Sequence, residues 1–157
     1  MQLFFQEHIT SPTTFLNEEE SKHLVRVLRK KQGDQILLTD GKGILYTCVL
    51  DQADPKKASL TVLSSQEAEK DSFYIHLAIA PTKSPDRMEW MVEKITEIGF
   101  HELTLLDTLH GERSFLKPDR LQKKIISACK QSIKWRTPSL NGTTKLSELI
   151  KSTEFAD

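Results

Sequence analysis

Apolar positions recur at helical spacing from Met88 to Ile98, where Met88, Met91, Val92, Ile95 and Ile98 make one stripe. The pattern predicts a helix within residues 81–100. Asp86 is placed to cap its start, Pro85 keeps the entry extended, and Gly99 suits a left-handed closing residue. Residues 73–80 and 103–106 read as strands on either side. Strand, helix and strand in that order predict a parallel crossover unit.

Upstream the period shortens. Residues 3–5, 35–39, 44–50 and 58–64 read as short strands, with turns at Asp40-Gly41-Lys42-Gly43 and Asp54-Pro55. One helix interrupts them. Asn17 caps it, Glu18, Glu19 and Glu20 lie at its positive end, and Glu20 holds the capping-box position. It runs through Leu24, Val25, Val27 and Leu28 to about residue 29, before Gly33-Asp34. These short strands and tight turns predict a compact β-barrel over residues 1–68. Residues 65–72 are polar and aperiodic, and read as a linker to a second domain at 73–157.

Downstream, residues 107–117 follow the C-terminal end of the second parallel strand, where sites gather in such sheets. Glu112, Arg113 and Ser114 are therefore placed for a ligand; an ordinary polar loop has the same look. Pro118 and Asp119 open a helix that buries Leu121, Ile125, Ala128, Cys129 and Ile133 and stops at Thr137-Pro138. Residues 146–151 form a last short helix. Two parallel strands alone would leave edges and an apolar face uncovered, so the second domain reads as cut short at Asp157.

Charge sharpens this picture locally. The whole chain is neutral, with 22 basic and 22 acidic residues. From Arg113 to Arg136, however, eight Lys or Arg face a single acid, Asp119. That asymmetry suits a polyanion better than an ordinary solvated face does. Arg26, Arg29, Lys30 and Lys31 end the first helix, with His23 one turn earlier. Both a helix dipole and a phosphate surface call for cations there. On the polar face of the central helix, Lys83 and Arg87 stand at the entrance, and Glu93 and Glu97 flank Lys94 as expected of solvated ion pairs. The two cysteines, 48 and 129, form no metal or redox motif, and a reducing cytoplasm is the simplest compartment. No nucleotide-binding glycine motif, metal-ligand histidine spacing or membrane-length apolar run is present.

Several blocks, in order, resemble one family. His23-Leu-Val-Arg-Val-Leu-Arg29, Gly33-Asp34, Asp40-Gly41, Lys83-Ser-Pro-Asp-Arg-Met-Glu-Trp90, Glu93-Lys94, Thr96-Glu-Ile-Gly99, Glu112-Arg-Ser114 and Gln131-Ser132 are similar to the RsmE family of 16S ribosomal RNA uridine N3 methyltransferases. The resemblance implies an N-terminal PUA-like RNA-binding barrel, then a SPOUT-type, trefoil-knotted α/β domain that binds S-adenosylmethionine and works as a homodimer. It implies catalytic duties for Arg113, Glu112, Ser114 and Arg87. RNA contacts are expected of Arg26, Arg29, Lys30, Lys83, Lys123, Lys124, Gln131 and Ser132, on their charge and position together with the family blocks. The family's G-P-E-G and L-G-x-R-I-L-R segments, which form the knot and cofactor pocket, have no counterpart in these 157 residues. The expectation is an N-terminal part of such an enzyme, inactive alone. A non-catalytic RNA-binding module and a protein-interaction domain are the alternatives.

Overall fold

The computed structural model describes residues 2–107 and 117–152, and the chain divides into two units. The first comprises Met1–Lys70 together with Cys129–Thr137; the second comprises Asp71–Ala128 and Pro138–Asp157.

The first unit is a curled five-stranded sheet. Its strands are β1 (Leu3–Phe5), β2 (Thr13–Phe15), β3 (Gln35–Thr39), β4 (Ile44–Gln52) and β5 (Ser59–Glu67), in the order β1-β3-β4-β5-β2. Only β1 and β3 pair in parallel. The edges β1 and β2 are not paired with each other, so the sheet is a half-barrel. Alternate residues Ile36 and Leu38, Cys48 and Leu50 point inward and form the core with Phe4, Leu16, Leu24, Ala58 and Leu60. Strand β2, Thr13–Phe15, lacks the apolar run that marks the equally short β1. Ser65, Gln66 and Glu67, expected in the linker, instead extend β5 against β4. Backbone pairing carries them there; their side chains are all exposed, so polarity costs nothing.

Helix α1 (Glu18–Lys22) starts as its sequence predicts: Asn17 Oδ1 accepts from the Glu20 N–H at 2.9 Å. The reciprocal half of the capping box is made differently. Gln6 Oε1 accepts from the Asn17 N–H at 3.1 Å, and Glu20 turns inward. The helix continues as one π-helical turn, His23–Val27, with Leu28 N–H bonded to His23 O.

The second unit carries a fully parallel sheet, β6 (His76–Ile79), β7 (Glu102–Asp107) and β8 (Ser139–Lys145), with β7 central. Strand β8 was not expected. Its sequence, SLNGTTK, is too polar and glycine-bearing to read as a strand, but pairing with β7 satisfies its backbone. Helix α2 (Pro85–Ile98) lies between β6 and β7. Its cap is Ser84, whose Oγ accepts from the Arg87 N–H, and not Asp86. Pro85 has no N–H to be capped and fits the first helical position, which moves the cap two residues upstream, from Asp86 to Ser84. Asp86 stands in the first turn, favourable to the dipole. Gly99 closes the helix at φ +125°, its N–H bonded to Ile95 O.

The buried arc of α2 runs through Met88, Val92 and Thr96, while Ile98 is 81% exposed. At 3.6 residues per turn, Ile98 lies about 120° around the helix from Val92, off the buried arc. Helix α3 (Pro118–Gln131) buries Leu121, Ile125 and Ala128 and is tied to α2 by Arg120–Glu89 at 2.6 Å and Lys124–Glu93 at 3.3 Å. Helix α4 (Leu146–Ser152) follows β8. Among the described residues, no helix is long and apolar enough to cross a membrane.

The uncovered sheet face was expected to be apolar. Leu103 and Leu105 are buried, and the residues alternating with them on β7, Glu102 and Thr104, line a mixed face with His76, Asn141, Ala78, Leu146 and Ile150.

Candidate nucleic-acid interface

In the first unit, Arg26 is exposed on the π-helical turn. Arg29 is exposed just beyond it, in the left-handed region at φ +54°, and Lys30 is half-buried. A short strap, Trp135–Thr137, lies along the glycine turn between β3 and β4. Gly43 N–H donates to Trp135 O at 3.0 Å, Thr137 N–H donates to Gly41 O at 2.8 Å, and the Thr39 hydroxyl donates to Trp135 O at 2.9 Å. These bonds set Lys42 opposite Arg136 in an isolated antiparallel bridge. Both glycines are needed for this approach. Gly41 sits at φ +76°, and a Cβ there would stand 2.8 Å from Thr137 Oγ1 and 2.9 Å from the Phe5 ring. At Gly43, φ +100°, a Cβ would meet the Arg136 guanidinium, with Cζ at 2.7 Å. Sequence reasoning took the Gly-Lys-Gly run as a plain hairpin turn, because the strap comes from about 95 residues away.

The strap is aimed by the end of α3. Ile133 closes that helix at φ +55°, with Lys134 N–H bonded to Cys129 O at 2.9 Å. Gln131 is exposed at the helix end and Ser132 is half-buried, and both belong to the first unit.

In the second unit, Arg87 is exposed in the first turn of α2, Lys83 is exposed before it, and Lys123 is exposed on α3. Lys124 pairs with Glu93. Glu112, Arg113 and Ser114 lie outside the described residues. The cationic stretch from 113 to 136 is less charged in space than along the chain. Arg120, Lys124 and Lys130 each face a carboxylate from elsewhere: Glu89, Glu93 and Glu20. On α2, Lys94 Nζ reaches both oxygens of Glu97 at 3.0 Å and Glu93 at 3.1 Å. Hydrogen bonds from Lys94 and Lys124 hold the Glu93 carboxyl below its usual range.

The open face of β6–β8 carries a closed polar network. Tyr74 OH donates to Glu102 Oε2 at 2.7 Å, and Asn141 Nδ2 donates to Glu102 Oε1 and to Thr104 Oγ1. His76 Nε2 lies 2.7 Å from Thr104 Oγ1, and His76 Nδ1 lies 3.6 Å from Glu102 Oε2. The Tyr74 hydrogen bond, with help from Asn141 and His76, lowers the Glu102 pKa. Tyr74 also stacks on His101, whose Nε2 lies 2.9 Å from Asp71. The one available signal for this network was polar residues at every second strand position.

Comparison with known proteins agrees with this architecture. Residues 16–63 match the RNA methyltransferase PUA domain, and residues 69–156 match the RNA methyltransferase domain. The chain is 25% identical to the ribosomal RNA small subunit methyltransferase E of Bacillus subtilis (strain 168), over 100% of this chain and 64% of that relative. It spans less than two thirds of that relative's length. Among solved structures, a probable rRNA-methyltransferase from Porphyromonas gingivalis superposes with a TM-score of 0.90 at 34% identity, over 100% of this chain and 69% of that one. A ribosomal RNA small subunit methyltransferase E from Neisseria gonorrhoeae, bound to S-adenosyl methionine, superposes at 0.82 with 26% identity, over 98% of this chain and 66% of that one. A PUA-like half-barrel followed by a SPOUT-type α/β unit, matched across nearly every residue, places the chain in the RsmE-type RNA methyltransferase family.

Proposed function

We propose that this chain is the RNA-holding part of an enzyme that moves a methyl group from S-adenosylmethionine to N3 of a uridine in small-subunit ribosomal RNA. The observation that carries the reading is the tandem match of both units, PUA and methyltransferase, in one chain. RNA contacts fall to Arg26, Arg29, Lys30, Lys83, Lys123, Lys124, Gln131 and Ser132, on residues 1–68 and 73–157 taken as the two working domains. The complete enzyme is a cytoplasmic homodimer.

Uridine N3 carries a proton that must leave before or as the nitrogen attacks. Negative charge then develops on the uracil ring. A fixed guanidinium lowers that cost without acting as a base. Arg113 takes this role, Glu112 orients it, Ser114 supplies a neighbouring hydroxyl, and Arg87 is the second cation. Positioning of the base supplies much of the remaining acceleration. S-adenosylmethionine supplies the methyl group. On the open face of β6–β8 the two Glu102 oxygens are bonded within this chain, Oε2 to Tyr74 and Oε1 to Asn141. We assign the cofactor pocket to the part of the relatives' length that this chain does not span, and expect no methyl transfer by this chain alone.

The test is methyl transfer by a full-length enzyme containing this chain, with the product nucleoside identified by mass spectrometry. N3-methyluridine is expected, and its absence sinks the assignment. Arg113→Lys keeps the charge and loses the planar fork, so turnover should fall at least tenfold. Unchanged turnover removes Arg113 from the mechanism.

A further inference from the structure

Lys42 and Arg136 stand opposite each other in the first unit, on the glycine turn and on the strap that crosses it. The bonds Gly43 N–H to Trp135 O and Thr137 N–H to Gly41 O flank the pair on both sides. That arrangement defines a non-hydrogen-bonded antiparallel pair, in which the two side chains leave the same face at the closest cross-strand spacing. Like charges placed there repel. Both residues are exposed, and neither is paired with a carboxylate among the described residues. The nearby carboxylate, Asp40, accepts from the Lys42 backbone N–H at 2.8 Å and also binds the Tyr46 hydroxyl.

The rest of the local structure fixes this repulsive pair in place. The backbone on each side of Arg136 is held by hydrogen bonds from three residues, Thr39, Gly43 and Thr137. The guanidinium rests against the bare backbone of Gly43, where any side chain would displace it. The bridge thus presents a planar guanidinium and an ammonium from directly opposed backbone positions, two cations for an anion to meet. A phosphodiester matches both the charge and the fork.

We infer that Lys42 and Arg136 form a clamp for one phosphate of the RNA strand, a contact made by neither the family blocks nor the basic helix face. The inference rests on the RNA-holding function proposed above. It also explains why a segment matched by the methyltransferase model is packed into the unit matched by the PUA model.

The test is binding of a small-subunit ribosomal RNA fragment to the whole chain across a salt series. Lys42→Gln, Arg136→Gln and Arg136→Lys are compared with Lys151→Gln, a charge-matched control on α4. Each Gln variant in the clamp should lower the slope of log affinity against log salt by roughly 0.7–0.9 and weaken binding about 3–10-fold at about 0.1 M salt. Arg136→Lys should keep the slope and lose part of the affinity, a readout that also reports a folded protein. Slopes for Lys42→Gln and Arg136→Gln equal to that of Lys151→Gln would overturn the clamp while leaving the RNA-holding function standing. No salt-dependent binding by the unmodified chain would overturn both.

Discussion

Lys130, in the last turn of α3, sets its ammonium against the carboxylate of Glu20, in the first turn of α1. The pair sits largely out of water, with side chains 22% and 8% exposed, and the second Glu20 oxygen has no hydrogen-bond partner among the described residues. Removing one member of a buried pair strands the other's charge. Lys130→Ala should therefore destabilise the chain by about 2–4 kcal/mol, read as a lower urea midpoint at unchanged m. The double variant Glu20→Gln/Lys130→Met should lose less than Lys130→Ala alone. If the single and double variants are equally unstable, the pair is not what matters.

Gly41 and Gly33 separate two costs that usually come together. Both sit at positive φ, +76° and +90°, but only Gly41 has side-chain atoms where a Cβ would go. Gly33→Ala should cost about 1 kcal/mol, from backbone strain alone. Gly41→Ala should cost about 2–4 kcal/mol, because Thr137 and Phe5 must also give way. Equal midpoints in denaturant would mean that the strap does not press on the turn.

Glu102 makes stability depend on acid. Its folded pKa lies below the ordinary value of 4.5, so its contribution is complete above that value and is lost as pH falls through the folded pKa. Glu102→Gln should flatten the fall in stability below about pH 4.5, although the variant is less stable at neutral pH. Thermal melts of the two proteins between roughly pH 3 and 7 check this. Parallel curves would contradict it.

The two thiols should be inert in the folded protein. Burial pushes Cys48 and Cys129 each up to about 11, so both are protonated at neutral pH and shielded from reagent. A chromogenic disulfide reagent should find two thiols in denaturant and almost none quickly in buffer. Fast native labelling of either would show that its packing opens.

Much of this fold is legible in sequence because pattern and pairing agree. Ile36 and Leu38 are buried two residues apart, with Gln35 exposed and Leu37 half-buried beside them, and β3 falls at residues 35–39 as expected. Asn17 caps where a capping residue should. What escapes notice is set at long range. Glu20 fits a local capping box, yet its partner is 110 residues away, while Gln6 takes over the cap. β8 is a strand because β7 pairs with it, not because Ser-Leu-Asn-Gly favours one. Along the chain, Arg120, Lys124 and Lys130 look like a naked cationic face; in space Glu89, Glu93 and Glu20 answer them. Lys42 and Arg136 were invisible as a pair for the complementary reason. Lys42 is unremarkable in its turn and Arg136 is one cation of a basic stretch, and only the hydrogen bonds of the strap bring the two together.

The proposed division of labour is tested most directly by incubating this 157-residue chain with small-subunit ribosomal RNA and S-adenosylmethionine labelled on its methyl group, beside a full-length relative. Label should accumulate on RNA with the relative and stay at the no-protein background with this chain. Label transferred to RNA by this chain at a rate comparable with the relative's would contradict the account.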